Sequence, residues 1–341
     1  MIELKNLVKV FNPGTVNEHM AIDHLNLILN EGDFITVIGS NGAGKSTLVN
    51  LISGAVEVDE GLILLNDTDV SGLKEHKRAP YFGRVFQDPM MGTASDMTVL
   101  ENLALARGRG KMRSLFKWSI SAGDKKFFIE QLKSLGLGLE DKIYQKVGTL
   151  SGGQRQALTH LMATINQKPS HRMIRRDYVK FNPHNREQAK KEVEEAYKTS
   201  KAKFKAMKKE ILANTSISLE ERVKLVKEAY EEFDQVMRQY DVTKPVLLLD
   251  EHTAALDPKT AAKVLEITER IVNEQHLTTI MITHNMNDAI RYGNRLIMMS
   301  KGKIVVDVSG EEKKNLTIEQ LLKKFENDSD VVLDDKLLLS K

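Results

Sequence analysis

Apolar residues along this chain follow three patterns. "MIELKNLVKVF" at the start alternates apolar and polar positions like a strand. "FITVIG" (34–39), "VLLLD" (246–250) and "TTIMIT" (278–283) are short β-rich apolar runs, as expected of strands buried on both faces. "STLVNLISG" (46–54) spaces its apolar residues as a helix does, and strands alternating with helices predict an open α/β sheet. The third pattern has a heptad step. Val193, Tyr197, Ser200, Phe204, Met207 and Ile211 form one seam; Leu219, Val223, Val226, Tyr230, Phe233, Met237 and Tyr240 form a second. Asn185 with Gln188 and Ser218 with Glu221 mark the two helix starts, and the short "ANTSI" between them forces an antiparallel return. The expected result is a helical hairpin of roughly 35–40 Å.

Composition narrows the class. With 341 residues, 41% hydrophobic and 28% charged, the chain can bury a full core, and two domains are expected rather than one. The absence of cysteine excludes disulfides and thiolate metal sites. No basic segment followed by an apolar stretch opens the chain, so no secretory signal is expected. The longest apolar runs fall short of the roughly 20 residues that a membrane helix requires. A net charge of +3 is too small to announce a nucleic-acid partner, and none is expected.

The most specific chemistry lies in "DFITVIGSNGAGKSTLVNLISG", where Gly39-x4-Gly44-Lys45-Ser46 stands between a strand and a helix. Glycines there let backbone N–H groups turn inward around phosphate oxygens at a positive helix terminus. Lys45 adds a point charge, and the Ser46 hydroxyl is suited to ligate Mg²⁺. The apolar run 246–249 delivers Asp250 and Glu251 at a strand's carboxyl end, where open α/β sheets place their ligands. Asp250 suits the metal shell, and Glu251, one residue farther, suits a general base for water. His284 closes the third run and is placed to hydrogen-bond a γ-phosphate or to serve structure alone.

These residues, taken in order, resemble the nucleotide-binding subunit of an ATP-binding-cassette (ABC) transporter. "GSNGAGKST" is similar to the Walker A loop, "RVFQDP" to the Q-loop with Gln87, and "LSGGQ" (150–154) to the family signature. "LLLDE" is similar to Walker B, "AALD" with Asp257 to the D-loop, and "ITH" to the switch histidine. The likeness covers residues 1 to about 167 and about 244 to 310. It implies ATP and Mg²⁺ as ligands. Gly39, Ser40, Asn41, Gly42, Ala43, Gly44, Lys45, Ser46 and Thr47 would hold the nucleotide phosphates. Ser46, Gln87 and Asp250 would hold the metal, and Glu251, His284 and Gln87 would be catalytic. Phe11 resembles the adenine-stacking aromatic, although inserted "NPGTVNEHM" lengthens its spacing to Lys45, and a core position is the other reading. Asp257 either caps the helix that begins at Pro258 or sits at a subunit contact. His252 stands where many relatives have proline.

The chain has one Walker A loop and one signature. In the family, Ser151, Gly152, Gly153 and Gln154 of one subunit would complete the phosphate site of another, which implies a head-to-tail homodimer or a related second subunit. An integral membrane permease and a separate solute-binding protein are the implied partners, with the chain cytoplasmic and peripheral on the inner face of the membrane. Among transporters, "QDPMMGTASDMTVLENLALA", "LSGGQRQALT" and "LLLDEHTAALDPKT" look like an uptake group assigned to tryptophan- or tyrosine-type substrates. The alternative is a soluble ABC ATPase acting on DNA or ribosomes. Position argues against it, because chromosome-type proteins insert their coiled coil before the signature and translation-type proteins carry two cassettes.

In the family the signature helix runs almost directly into Walker B, whereas here Gln154 and Asp250 are 96 residues apart. The surplus begins near "NQKPS" and ends near "VTKPV", each with Lys-Pro. The expected domains are 1–168 with 244–310 for the nucleotide-binding part, including a helical signature subdomain at about 92–165. Residues 169–243 would be an inserted antiparallel coiled-coil hairpin. Residues 311–341 would be a helix capped by Thr317 with Gln320, followed by an acidic tail. Residues 170–243 hold 17 Lys and Arg against 13 Asp and Glu, so the insertion is either a solvated basic decoration or a docking arm.

Overall fold

The computed structural model describes residues 1–109, 120–165, 171–182, 185–241 and 246–328. The first half contains β1 (Ile2–Phe11), β2 (His19–Leu29), β3 (Phe34–Gly39), α1 (Lys45–Ser53), β4 (Glu60–Leu65), β5 (Thr68–Asp69), α2 (Glu75–Arg78), β6 (Phe82–Val85), α3 (Val99–Arg107), α4 (Ala122–Leu135) and α5 (Gly152–Thr164). Then follow α6 (His171–Lys180), α7 (Arg186–Ala213), α8 (Leu219–Arg238), β7 (Val246–Asp250), α9 (Pro258–Gln275), β8 (Thr278–Ile282), α10 (Met286–Arg291), β9 (Arg295–Ser300), β10 (Lys303–Ser309), α11 (Gly310–Lys314) and α12 (Ile318–Asp328).

Two compact units result. One takes Met1–Leu64, Asp69–Gln167 and Pro245–Lys341; the other takes Leu65–Thr68 with Lys168–Lys244. The fold of the first is α/β. Among the described residues its central sheet has the order β10-β9-β3-β8-β7-β6, and a second sheet runs β2-β1-β4-β5. β3 is parallel to both β8 and β9, and β7 is parallel to β8 and β6. This register decides where the chemistry goes. Val37 pairs with Ile282 and Asp250 with Ile282, so the carboxyl ends of β3, β7 and β8 finish at one edge of the sheet. All six residues of β3 are buried, as are Val246–Leu249, which explains their unbroken apolar runs.

The helices α3, α4 and α5 share one apolar core with this sheet: Leu103, Phe128, Leu132, Leu158 and Leu161 pack with Val85, Leu247 and Leu249. Thr98 and Ser121 form capping boxes at the starts of α3 and α4. The C-terminal segment also joins the sheet unit, since Leu316 and Leu321 are buried against Ile38, Leu296 and Met298. Thr317 and Gln320 make the expected reciprocal cap, at 3.0 and 3.3 Å. Two helices, α11 and α12, stand where one was expected, and the acidic tail after Asp328 lies outside the described residues.

In the other unit α7 and α8 form two long helices, but a third, α6, precedes them. Ile174 of α6, Val193 of α7, and Phe233 and Met237 of α8 make a common buried cluster. This third helix corrects the two-seam reading. Ala229 is buried, whereas Val223 is 62% exposed, Leu219 69% and Tyr230 47%. The apolar contact of α8 therefore fades toward its start instead of running its full length. Ser218 accepts from the Glu221 N–H at 3.1 Å as expected, but Asn185 makes no side-chain cap. Both Lys-Pro joints lie outside the described residues.

Candidate active site

The loop between β3 and α1 begins where β3 ends, at a glycine that no other residue can replace. Gly39 has φ +149°, and a Cβ there would lie 2.3 Å from the Met299 carbonyl oxygen of neighbouring β9. Gly44, in left-handed backbone, is the N-cap of α1 and has no side chain to satisfy the first-turn N–H groups. Those donors face a cavity of about 190 Å³ lined by Asn41–Thr47 together with Phe11, His19 and Glu251. The Lys45 side chain is buried, and its Nζ donates to the carbonyls of Gly39 at 2.8 Å and Ser40 at 3.0 Å. Burial lowers its pKa, while the carboxylates of Glu251 and Asp250 oppose that shift.

Asp250 arrives from β7 at the same edge. The Ser46 hydroxyl donates to its Oδ1 at 3.3 Å, so a hydroxyl and a carboxylate stand side by side as hard oxygen ligands. Burial raises the Asp250 pKa and the nearby Arg84 guanidinium lowers it. Arg84 was not anticipated. Its Nη2 lies 3.8 Å from Asp250 Oδ2 and donates to Asn50 Oδ1 at 2.6 Å, tying β6 to both α1 and β7. No cluster of three or more His, Cys, Asp or Glu able to hold a metal occurs among the described residues. The Ser46–Asp250 pair fits Mg²⁺, which is bound by few protein oxygens and completes its shell from phosphates and water.

Glu251 lies against His284, with His284 Nε2 and Glu251 Oε1 2.5 Å apart. That hydrogen bond, more than any other contact, lowers the Glu251 pKa, so the side chain is a carboxylate at neutral pH. Its backbone has φ +45°, and its N–H donates to Ile282 at 3.1 Å, which anchors the turn to β8. The next residue, His252, is buried, with its ring 4.7 Å from that of His160 on α5. Burial pushes the His252 pKa down to about 3. Nothing in the motif pattern marks this pair, because His160 becomes its neighbour only through the packing of α5 on α9.

The structure gathers Phe11, the phosphate loop, Asp250, Glu251 and His284, and leaves two groups apart. Gln87 follows β6, is exposed, and does not line the phosphate cavity. The signature residues do not line it either. Ser151 caps α5 by accepting from the Gln154 N–H at 3.3 Å, and the Gln154 side chain answers the Ser151 N–H at 3.4 Å. Gln154 is also engaged by Lys142 and by the Leu137 carbonyl, so it braces the loop inside its own chain. Ser151 and Gly152 are exposed. Gly153 is buried, and a Cβ there would meet Thr260 of α9 at 2.2 Å. Asp257 accepts from the Thr260 N–H at 3.1 Å and caps α9, the simpler of its two expected roles.

A phosphate loop at the end of a central parallel strand, with a hydroxyl–carboxylate pair and a second acid beside it, defines a P-loop nucleoside triphosphatase. Residues 22–174 match the family model described as ABC transporter. A tyrosine transport ATP-binding protein of Clostridioides difficile (strain R20291) is 36% identical over 332 residues, covering 96% of this chain and 99% of that protein. The phosphonates import ATP-binding protein PhnC of Lactococcus lactis subsp. lactis (strain IL1403) is 27% identical over 328 residues, covering 95% and 99%. Among solved structures, a dimeric post-hydrolysis state of an ATP-binding cassette bound to ADP and Pi gives a TM-score of 0.57 at 22% identity, covering 91% of this chain and 98% of that one. The chain belongs to the ABC transporter family as an ATP-binding protein. It is an ATPase that takes ATP with Mg²⁺.

Proposed function

We propose that this ATPase drives uptake of a tyrosine-type amino acid. It would work as a head-to-tail homodimer beneath a separate membrane permease supplied by a solute-binding protein. The observation that carries the substrate class is the near-full-length likeness to a tyrosine transport ATP-binding protein. We read residues 169–243 as an insertion between two complete halves of the cassette. The soluble DNA or ribosome ATPase finds no support in these relatives, whose names are those of transport and import proteins.

For the permease contact, a cavity of about 390 Å³ lies beside the Q-loop segment, lined by Phe86, Met91, Gly92, Leu105, Arg109 and Met162. Its largely apolar wall, which also carries Arg84, Arg109 and Glu75, suits the end of a permease's cytoplasmic helix. No described helix is long and apolar enough to cross a membrane, and the reading places the chain peripherally on the cytoplasmic face.

In the catalytic reading, Lys45 and the first-turn amides of α1 hold the phosphates, Phe11 stacks adenine, and Ser46, Asp250 and Gln87 hold Mg²⁺. When bound, the metal neutralises phosphate charge. Glu251 takes the proton of the attacking water once His284 turns from it toward the γ-phosphate. Ser151 and Gly152, exposed at the α5 terminus, serve the site of the opposite subunit. The test is a pair of variants. Glu251→Gln retains Mg-ATP binding and loses hydrolysis by roughly 10²-fold or more, whereas Lys45→Ala loses binding. Hydrolysis at the native rate by Glu251→Gln would remove the base assignment. Uptake of labelled tyrosine by cells expressing the chain with its permease tests the substrate class, and unchanged uptake after deletion of the chain refutes it.

A further inference from the structure

The helical unit holds a charged cavity that the ATPase chemistry does not use. Arg175, Arg176 and Lys180 of α6, with Arg186 and Lys190 of α7, line an open space of about 470 Å³ together with Glu194. Two of the cations are balanced. Arg175 Nη1 donates to Glu194 Oε2 at 3.0 Å, and Arg176 makes a two-point pair with the buried Asp177 at 2.6 and 3.0 Å. Arg186 and Lys190 have no acidic partner among the described residues. Arg186 and Lys190 are thus two cations on this concave surface without a carboxylate among the described residues to balance them.

This arrangement differs from an ordinary solvated basic face, where each side chain extends independently into water. The Arg175 guanidinium is clamped, 3.9 Å from the centre of the Tyr197 ring, and its Nε is buried without an acceptor. Arg176 is fixed by its two-point pair. Lys180 is half-buried; burial lowers its pKa, Asp177 opposes that, and the Arg176 charge adds to it. Like charges held together in a concavity repel, and an anion placed among them relieves that cost. A guanidinium fork matches the oxygens of phosphate in particular, and that of Arg186 has no carboxylate on it among the described residues. The volume exceeds that of a single phosphate ion and falls in the range of ligand-sized clefts.

We propose that this cavity binds a phosphate-bearing anion, carried either by an acidic phospholipid headgroup or by a soluble phosphate compound. The test uses the full chain with its nucleotide site filled by Mg-ADP, so that the phosphate loop does not compete. Flotation is measured with vesicles of phosphatidylglycerol in phosphatidylcholine and with phosphatidylcholine alone; calorimetry is run with inorganic pyrophosphate. The Arg186→Gln, Lys190→Gln double variant removes the two unpaired cations, and helical circular dichroism confirms that it folds. The expected result is binding to one phosphate probe that weakens roughly ten-fold or more in the double variant, the effect of losing at least one charge-assisted hydrogen bond. Binding to the anionic vesicles without pyrophosphate binding assigns the lipid headgroup, and pyrophosphate binding assigns a soluble ligand. If neither probe binds, or if the folded double variant binds as tightly as the native chain, the proposal is overturned.

Discussion

Glu251 is held in left-handed backbone that costs a residue with a side chain roughly 1–2 kcal/mol. Its N–H donates to the Ile282 carbonyl at 3.1 Å, a bond that offsets part of that strain. His252 and His160 share the core with three ring nitrogens that lack partners among the described residues, so both remain neutral in the folded chain. In an unfolded chain they take up protons near pH 6.5. Their folded pKa values are depressed, His252 to about 3, so the unfolded state binds more protons below pH 6.5 and stability falls as pH drops through that window. The urea midpoint should fall between pH 7.5 and 5, and His160→Phe should flatten that slope; an equal slope in the variant would contradict the assignment. Lys45 and Ser46 are legible in the sequence because their spacing along one strand–loop–helix is the chemistry, and Asp250 and Glu251 because an apolar strand ends in two acids. Arg84 and His160 are not, because their partners come from distant elements and only the folded sheet brings them together.

The helices of the second unit show how periodicity misleads when the number of partners is unknown. A heptad step in α7 and α8 reads as a two-helix seam, but α6 supplies Ile174, Tyr178 and Val179 to the same cluster, and the buried part of the α8 seam is confined to its second half, at Phe233 and Met237. Phe233 ends at the centre of a ring cluster, 4.3 Å from His171 and 5.8 Å from Phe204, while Val223 faces solvent. Phe233→Asp should therefore cost about 3–5 kcal/mol or more within this unit, and Val223→Asp should stay within about 0.5 kcal/mol. Limited proteolysis of α7 and α8 against temperature, with Mg-ATP binding as the control for the cassette, distinguishes the two. Equal protease sensitivity would restore the continuous seam. The existence and antiparallel turn of the long helices are legible from "ANTSI" and Ser218; α6 is not, because its ten residues carry few apolar positions and many charges.

At the scale of the molecule, the strand order that places β3 between β8 and β9 cannot be read from the chain, since nothing local in "FITVIG" selects its neighbours. Parallel register then aligns the ends of β3, β7 and β8, and the site follows. The signature's exposed Ser151 and Gly152 do not line the phosphate cavity of their own chain. The central claim, that two copies close over ATP with each signature serving the other's phosphate loop, is tested by mixing. Ser151→Arg and Lys45→Ala chains, each inactive alone, are combined and ATP hydrolysis is measured. Mixed dimers then hold one site with both lesions and one with neither, and hydrolysis should return to a fraction of the native rate. If the mixture stays as inactive as its parts while native chains hydrolyse ATP under the same conditions, the signature does not act across the dimer and the account fails.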